Sequence, residues 1–266
     1  MKIGFSLSPG GLMLPYHVGA LAALEYNGFL DESSPLAGSS AGSIAVVSHA
    51  CGIRPEAILE ATIRVSDICS ESGGARGRLL PLLKQQMNDL IDDDAFQRFC
   101  QRPGPTGVAF RQIFPTGVNY LQTSFQNKGD LIQATGFSCM FPFFATNWPC
   151  ALDTSTTSTT TTPLQRLPRL LVDGYFTVPQ NRFGCPEFDM AQIQVDRTVA
   201  VAVFPSQVVD MGAFDDNDII SPNNCNIPLG DFFRIATQST SRKDLTAVYE
   251  QGWMDAENWC IQEGKR

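Results

Sequence analysis

Histidine is nearly missing from this sequence: 266 residues hold only His17 and His49. That scarcity excludes the usual zinc-ligand patterns and leaves few imidazoles to act as a base. Basic runs are missing too. No stretch of lysine or arginine exceeds a pair, and the net charge is −8 with a pI near 4.7. Such a chain does not attract a phosphate backbone, so nucleic acid is excluded as a partner, and strong electrostatic docking on anionic membranes is disfavoured. Hydrophobic contact with lipid stays open. No window approaches about 18 uninterrupted apolar residues, so no membrane-spanning helix is expected. Met1 leads straight into "KIGFSLS" without the basic and apolar segments of a signal peptide, which makes a cytoplasmic or organellar location the expectation. The eight cysteines form no CxxC pair, and a chain of this length does not need staples, so most read as reduced, partly buried thiols. No metal and no cofactor are expected.

What is present fits one globular domain over residues 1–266, with 43% hydrophobic and 17% charged residues. Lys2 to Ser8 alternates as a strand and runs into a Pro-Gly-Gly loop. "PYHVGALAALEYNGFL" is a helix with Pro15 in its first turn and Gly28 as its stop. Pro35 to Gly38 is a short strand, and "SAGSIAVVSHACG" a small-residue helix. This βαβα opening indicates a parallel sheet with helices on its faces. Three helical stretches follow ("PEAILEATIRVSDIC", "RLLPLLKQQMNDLI", "DDAFQRFC"), then strands at "GVAFRQIF" and "GVNYLQTSF" and a helix at "DLIQATGFSCM". A Thr-rich insertion at about 153–166, whose Thr154 to Pro163 stretch has nothing apolar to bury, reads as a mobile surface loop or a disordered insertion. "RLLVDG" and "RTVAVAVF" are strands, and the segment from Asp231 to Cys260 is spaced like one amphipathic helix.

Chemistry concentrates at Gly38-Ser39-Ser40-Ala41-Gly42. A sharp strand-to-helix turn of this kind needs Gly38 and Gly42 because side chains there would clash, and it presents Ser40 Oγ at the positive end of a helix. Ser39 and Ser43 do not sit at the apex. The bland alternative is a small-residue turn that lets the helix pack closely. A histidine base is nearly excluded by counting. His49 lies nine residues on, within or at the end of the same helix, about two and a half turns away. His17 fits a packed helix start. The remaining candidate is a carboxylate, and Asp173, at the end of the apolar strand "RLLV" and before Gly174, stands where open sheets bind ligands. It too has a plain reading, an Asp-Gly turn. Burial would have to raise its basicity. The third part is "SPGGLM". Amides of Gly10 and Gly11, with that of Ala41, can converge on an oxyanion, at roughly 3–4 kcal/mol per donor. Pro9 has no N–H to offer.

Together, "SLSPGGLMLPYHVGALAAL", "LAGSSAGSIAVVSHACG" and "LLVDGYFTVP" resemble the patatin-like phospholipase family, and "SCMFPFF" and "IISP" add to the resemblance, which covers roughly Ile3 to Pro222. It implies a three-layer α/β/α sandwich with a mostly parallel sheet, and metal-free hydrolysis of lipid acyl esters. Ser40 would be the nucleophile, Asp173 its base, and Gly10 and Gly11 the oxyanion donors. The substrate would be a phospholipid, galactolipid or acylglycerol, met by peripheral contact with a membrane or lipid droplet. Pro9 and Leu14 depart from the glycines common in the family loop. Two alternatives use the same residues differently: transfer of the acyl group to an alcohol, or a lipid-binding homologue with impaired catalysis. The aromatics of Phe141–Phe144 and the Asn147–Cys150 stretch are expected to form an apolar rim around the site, with Phe143 and Trp148 foremost. Phe141 and Phe144 could equally fill the core.

Overall fold

The computed structural model describes residues 1–154, 167–222 and 228–264, with the backbone alone at Leu229. Its strands are β1 (Ile3–Leu7), β2 (Leu36–Ser39), β3 (Thr106–Phe114), β4 (Val118–Gln122), β5 (Ala151–Asp153), β6 (Arg169–Val172), β7 (Arg197–Val201) and β8 (Ile219–Ile220). They form one sheet in the order β5-β6-β3-β2-β1-β7-β8, with β4 also paired to β3. The half built on β1 is parallel to β2 and β7, with β2 parallel to β3 and β7 to β8. The half around β3, β4, β5 and β6 is antiparallel.

The helices are α1 (Leu14–Tyr26), α2 (Ala41–Ala50), α3 (Pro55–Glu71), α4 (Leu79–Leu90), α5 (Asp93–Gln101), α6 (Lys128–Ser138), α7 (Leu229–Thr237) and α8 (Arg242–Glu263). Strand residues alternate by size as well as by face. Phe5, Leu7, Leu36, Val108, Phe110, Val199 and Val201 join one continuous core with α1, α2, α6 and α8. The opposite face carries Gly4, Ser6, Ala37, Ser39, Ala109 and Ala200. There the chain from Gly174 to Ala191 lies close as a series of 3-10 turns, with Phe188 over Ala37 and Ala109. A Cβ at Gly4 would come 2.6 Å from the Phe188 ring. The sandwich thus has a thick helical layer and a thin layer of turns.

The C-terminal segment departs from the single expected helix. It forms α7 and α8, broken at 238–241. Ser241 accepts from the Asp244 amide, and the Thr240 amide donates to Ser66 Oγ on α3 (2.8 Å). Polar side chains that cap and cross-link in this way compete with the helical ladder. The Thr-rich stretch from 155 to 166 lies outside the described residues; Asp153, at the near edge of the expected insertion, is instead the buried end of β5, paired with Arg169. Seven of the cysteines are free thiols, and Cys225 lies outside the described residues.

Candidate active site

The site forms where two strands run toward each other along one edge of β3. β4 pairs with Val108 to Gln112 of β3, while β2 reaches Ala109 and β6 covers Arg111 to Phe114. Because β4 overlaps both, β2 and β6 must share the other edge. They arrive head-on: β2 ends with Ser39 opposite Ala109, and β6, antiparallel, ends with Val172 opposite Arg111. The next residues are Ser40 and Asp173. The rule that ligands sit at carboxyl ends therefore reaches Asp173 only because β6 runs backward beyond the end of β2. Gly174 is required at this junction, since a Cβ would lie 2.5 Å from both Ser39 Cβ and the Ala109 carbonyl oxygen.

Ser40 has φ 51° and ψ −122°, a conformation that side-chain-bearing residues rarely adopt. Its carbonyl accepts from the Ser43 and Ile44 amides as α2 begins, and its own N–H donates to Ser138 Oγ (2.9 Å). A Cβ on Gly38 would lie 2.3 Å from the Gly42 carbonyl oxygen, and one on Gly42 would lie 2.6 Å from the Leu7 carbonyl oxygen. Both glycines are thus steric requirements of the turn. Ser39 points to the thin layer, where its hydroxyl donates to Gly184 O, and Ser43 turns back onto Ser40 O. Neither competes with Ser40 for the cavity.

Asp173 is completely buried. Its amide donates to Met140 O, and its Oδ1 accepts from the Tyr175 amide (2.8 Å). Oδ2 is buried and makes no hydrogen bond. Burial pushes the carboxyl up to about 7, although the Tyr175 amide and the neighbouring Ser40 hydroxyl pull it down. Cys139 is buried against the same group; burial and the Asp173 charge raise its thiol, while Ser43 and Ser40 lower it.

Gly10 and Gly11 lead from β1 into α1. Gly11 has φ 56°, and a Cβ there would lie 2.2 Å from the Ala236 carbonyl oxygen of α7. With Ala41, these residues stand ahead of helical turns, where amides lack an intrahelical acceptor. His17 is fully buried, and its Nε2 lies 2.8 Å from Ser8 O. Burial lowers it to about 4, so it is neutral at pH 7. His49 is also lowered to about 4, by burial and then Arg102, and lines a separate hollow with Glu25 and Arg54. Neither imidazole borders the Ser40 cavity.

That cavity has a volume of about 380 Å³. Ser40, Gly10, Gly11 and Ala41 border it on one side. Ile44, Leu79, Leu83, Phe141, Phe144, Phe183, Phe204 and Phe233 make the rest largely apolar. Phe233 stacks on Phe204 at 4.8 Å, and Phe141 on Phe176 at 5.6 Å. Phe141 and Phe144 therefore belong to the cavity wall. Phe143 and Trp148 lie outside it, 52% and 72% exposed, on a loop closed by a Phe143 N–H to Trp148 O bond. Among the described residues no three His, Cys, Asp or Glu side chains gather as a metal site would require.

The structure brings together Ser40, Asp173, Gly10, Gly11 and Ala41, with Gly38, Gly42 and Gly174 as steric supports. Two contributors escape a reading of the sequence. Ser138 holds the Ser40 amide from 98 residues away, and Met140 O holds that of Asp173. Both fall in "SCMFPFF", which the sequence marks only as part of the family resemblance, without a role for either residue.

A sequence profile of the patatin-like phospholipase family matches residues 5–181. Human patatin-like phospholipase domain-containing protein 5 is 30% identical over 155 residues, which cover 52% of this chain and 33% of that protein. The match thus spans a third of the length of that curated relative. VipD from Legionella pneumophila superposes with a TM-score of 0.51 at 9% identity, covering 98% of this chain and 67% of that one, a likeness of fold. ExoU, from its complex with SpcU of Pseudomonas aeruginosa, gives 0.46 at 15% identity over 98% and 52%. With its profile match running from β1 through the Asp173 turn, the chain belongs to the patatin-like phospholipase family.

Proposed function

We propose that this chain is a lipid acyl hydrolase in which Ser40 is the nucleophile and Asp173 its base. The observation that carries the reading is the pairing of a strained, cavity-facing Ser40 with a buried carboxyl whose Oδ2 has no other partner. The Ser40 hydroxyl is near enough to stabilise the carboxylate, and a bond from Oγ to Oδ2 completes that pair. Asp173 takes the proton as Oγ attacks the ester carbonyl, and the amides of Gly10, Gly11 and Ala41 receive the oxyanion. The C–O bond to the alcohol breaks, and the alcohol leaves with the proton from Asp173. Water then gives a proton to Asp173 and attacks the acyl-enzyme; the C–Oγ bond breaks, Ser40 Oγ takes the proton back from Asp173, and the fatty acid departs.

The apolar cavity supports an acyl chain as the recognised group, from a phospholipid, galactolipid or acylglycerol. Phe143 and Trp148, exposed beside it, support peripheral contact with a lipid surface. Incubating wild type, Ser40→Ala and Asp173→Asn with those three lipid classes and identifying products by mass tests the reading. Free fatty acid should appear with wild type and vanish with both variants; full release by Ser40→Ala would overturn it. Transfer to a lysolipid would show as acylated acceptor in place of free acid.

A further inference from the structure

His17 carries no role in the chemistry above, yet it is polar, fully buried, and set in the first turn of α1 just after the Gly10–Gly11 loop. Its Nε2 faces a carbonyl oxygen, that of Ser8, at 2.8 Å. A carbonyl only accepts, so Nε2 carries the proton and Nδ1 is bare; Nδ1 is buried and without a partner. The bond therefore fixes the tautomer and spends the ring's only N–H on one backbone atom.

That atom is a junction. Ser8 closes β1, its amide donating to Val201 O at 3.0 Å, and its hydroxyl donates to Pro9 O at 2.9 Å. Beyond it Pro9 has no N–H to tie to the sheet, and the next backbone bond is that of Gly10 O, which accepts from the Met13 amide at 3.0 Å. The Ser8 carbonyl also abuts the elbow, since a Cβ at Gly42 would lie 2.7 Å from it. The oxygen is thus held between α1 and the first turn of α2, and its orientation sets the plane from which the Gly10 and Gly11 amides depart.

We propose that His17 is a positioning residue: through its hydrogen bond to the Ser8 carbonyl it fixes the Gly10–Gly11 amides against the Ser40 elbow. The inference rests on the reading of those amides as oxyanion donors. An ångström of misplacement at such a site costs roughly 100-fold in rate. The loss falls on kcat, because the amides act where charge develops and the apolar cavity that binds the acyl chain is untouched.

Steady-state hydrolysis of a soluble short-chain acyl ester tests this in His17→Gln, His17→Asn and His17→Leu, with circular dichroism and melting to certify folding. Gln places an N–H at comparable reach; Asn is shorter, and Leu has none. The expected result is a kcat loss of roughly 100-fold in Asn and Leu with KM within about twofold, and recovery to within about threefold in Gln. Equal kcat in folded Gln and Asn variants would overturn the proposal, as would losses confined to KM. Should Leu not fold, the Gln–Asn comparison decides alone. An acid limb of the pH profile that disappears in Gln would make the imidazole the base, and would equally overturn it. Ser40→Ala, run in parallel, separates the two ideas: an inactive Ser40→Ala beside unaffected His17 variants leaves the serine mechanism standing and removes the positioning role.

Discussion

Ser39 and Val172 end two strands that meet head-on along a single edge of β3, two positions apart in its register. The nucleophile and the base of the proposed chemistry are what comes next in each strand. The residue after Ser39 enters a helix, the residue after Val172 enters a 3-10 turn, and neither strand can continue without colliding with the other.

Asp173 gives the first prediction, on pH. Its carboxyl must be ionised to accept a proton, and burial raises it to about 7. Hydrolysis should therefore increase about tenfold per pH unit on the acid side and level off above about 7. A pH–kcat/KM profile on a soluble ester checks this; a limb near the ordinary carboxylate value would contradict it.

The same shift acts on stability with the opposite sense. The folded value, about 7, exceeds the ordinary 3.8, so between those values the folded state binds more protons than the unfolded. Stability then falls as pH rises through that window, because a bare carboxylate must be kept buried. Asp173→Asn should melt above wild type at pH 8, with the difference shrinking toward pH 4. Parallel thermal melts across that range measure it.

Ser138 supports the elbow through its hydroxyl. Ser138→Ala leaves the Ser40 amide without its acceptor, at a cost of about 1–3 kcal/mol in stability. Hydrolysis should fall with it, and denaturant unfolding beside kinetics separates the two effects.

Gly42→Ala places a methyl 2.6 Å from Leu7 O and 2.7 Å from Ser8 O. Relief requires β1 and α2 to part, so we expect a loss of about 1–3 kcal/mol and near-complete loss of hydrolysis. An active, wild-type-stable variant would show that the turn is looser than its contacts imply.

These residues differ in how far the sequence alone reveals them. Gly38, Ser40 and Gly42 are legible because one turn forces them together within five positions. The first strands and helices are legible for a similar reason, since their periods repeat over many residues. Ser138 is not, because its bond to Ser40 depends on where α6 ends relative to β2. β5 and β8, three and two residues long, are too short to display a period. The break between α7 and α8 hides because Gln238 to Ser241 are polar residues that an amphipathic helix also tolerates on its outer face. His17 reads as helix packing, which is true of its carbon atoms and misses its proton.

The rim yields a prediction at the lipid surface. Phe143→Asp or Trp148→Asp should lower hydrolysis of lipid in vesicles by about tenfold or more, because a charge replaces apolar contact area. A soluble ester should still turn over at the wild-type rate, as neither side chain borders the cavity.

The most direct test of the account is the site and rate of labelling by a fluorophosphonate, mapped by peptide mass in wild type and in Asp173→Asn. We predict a single adduct on Ser40 in wild type, formed at least about 100-fold more slowly once the carboxylate is lost. An adduct on any other residue, or the same rate in both proteins, would contradict it.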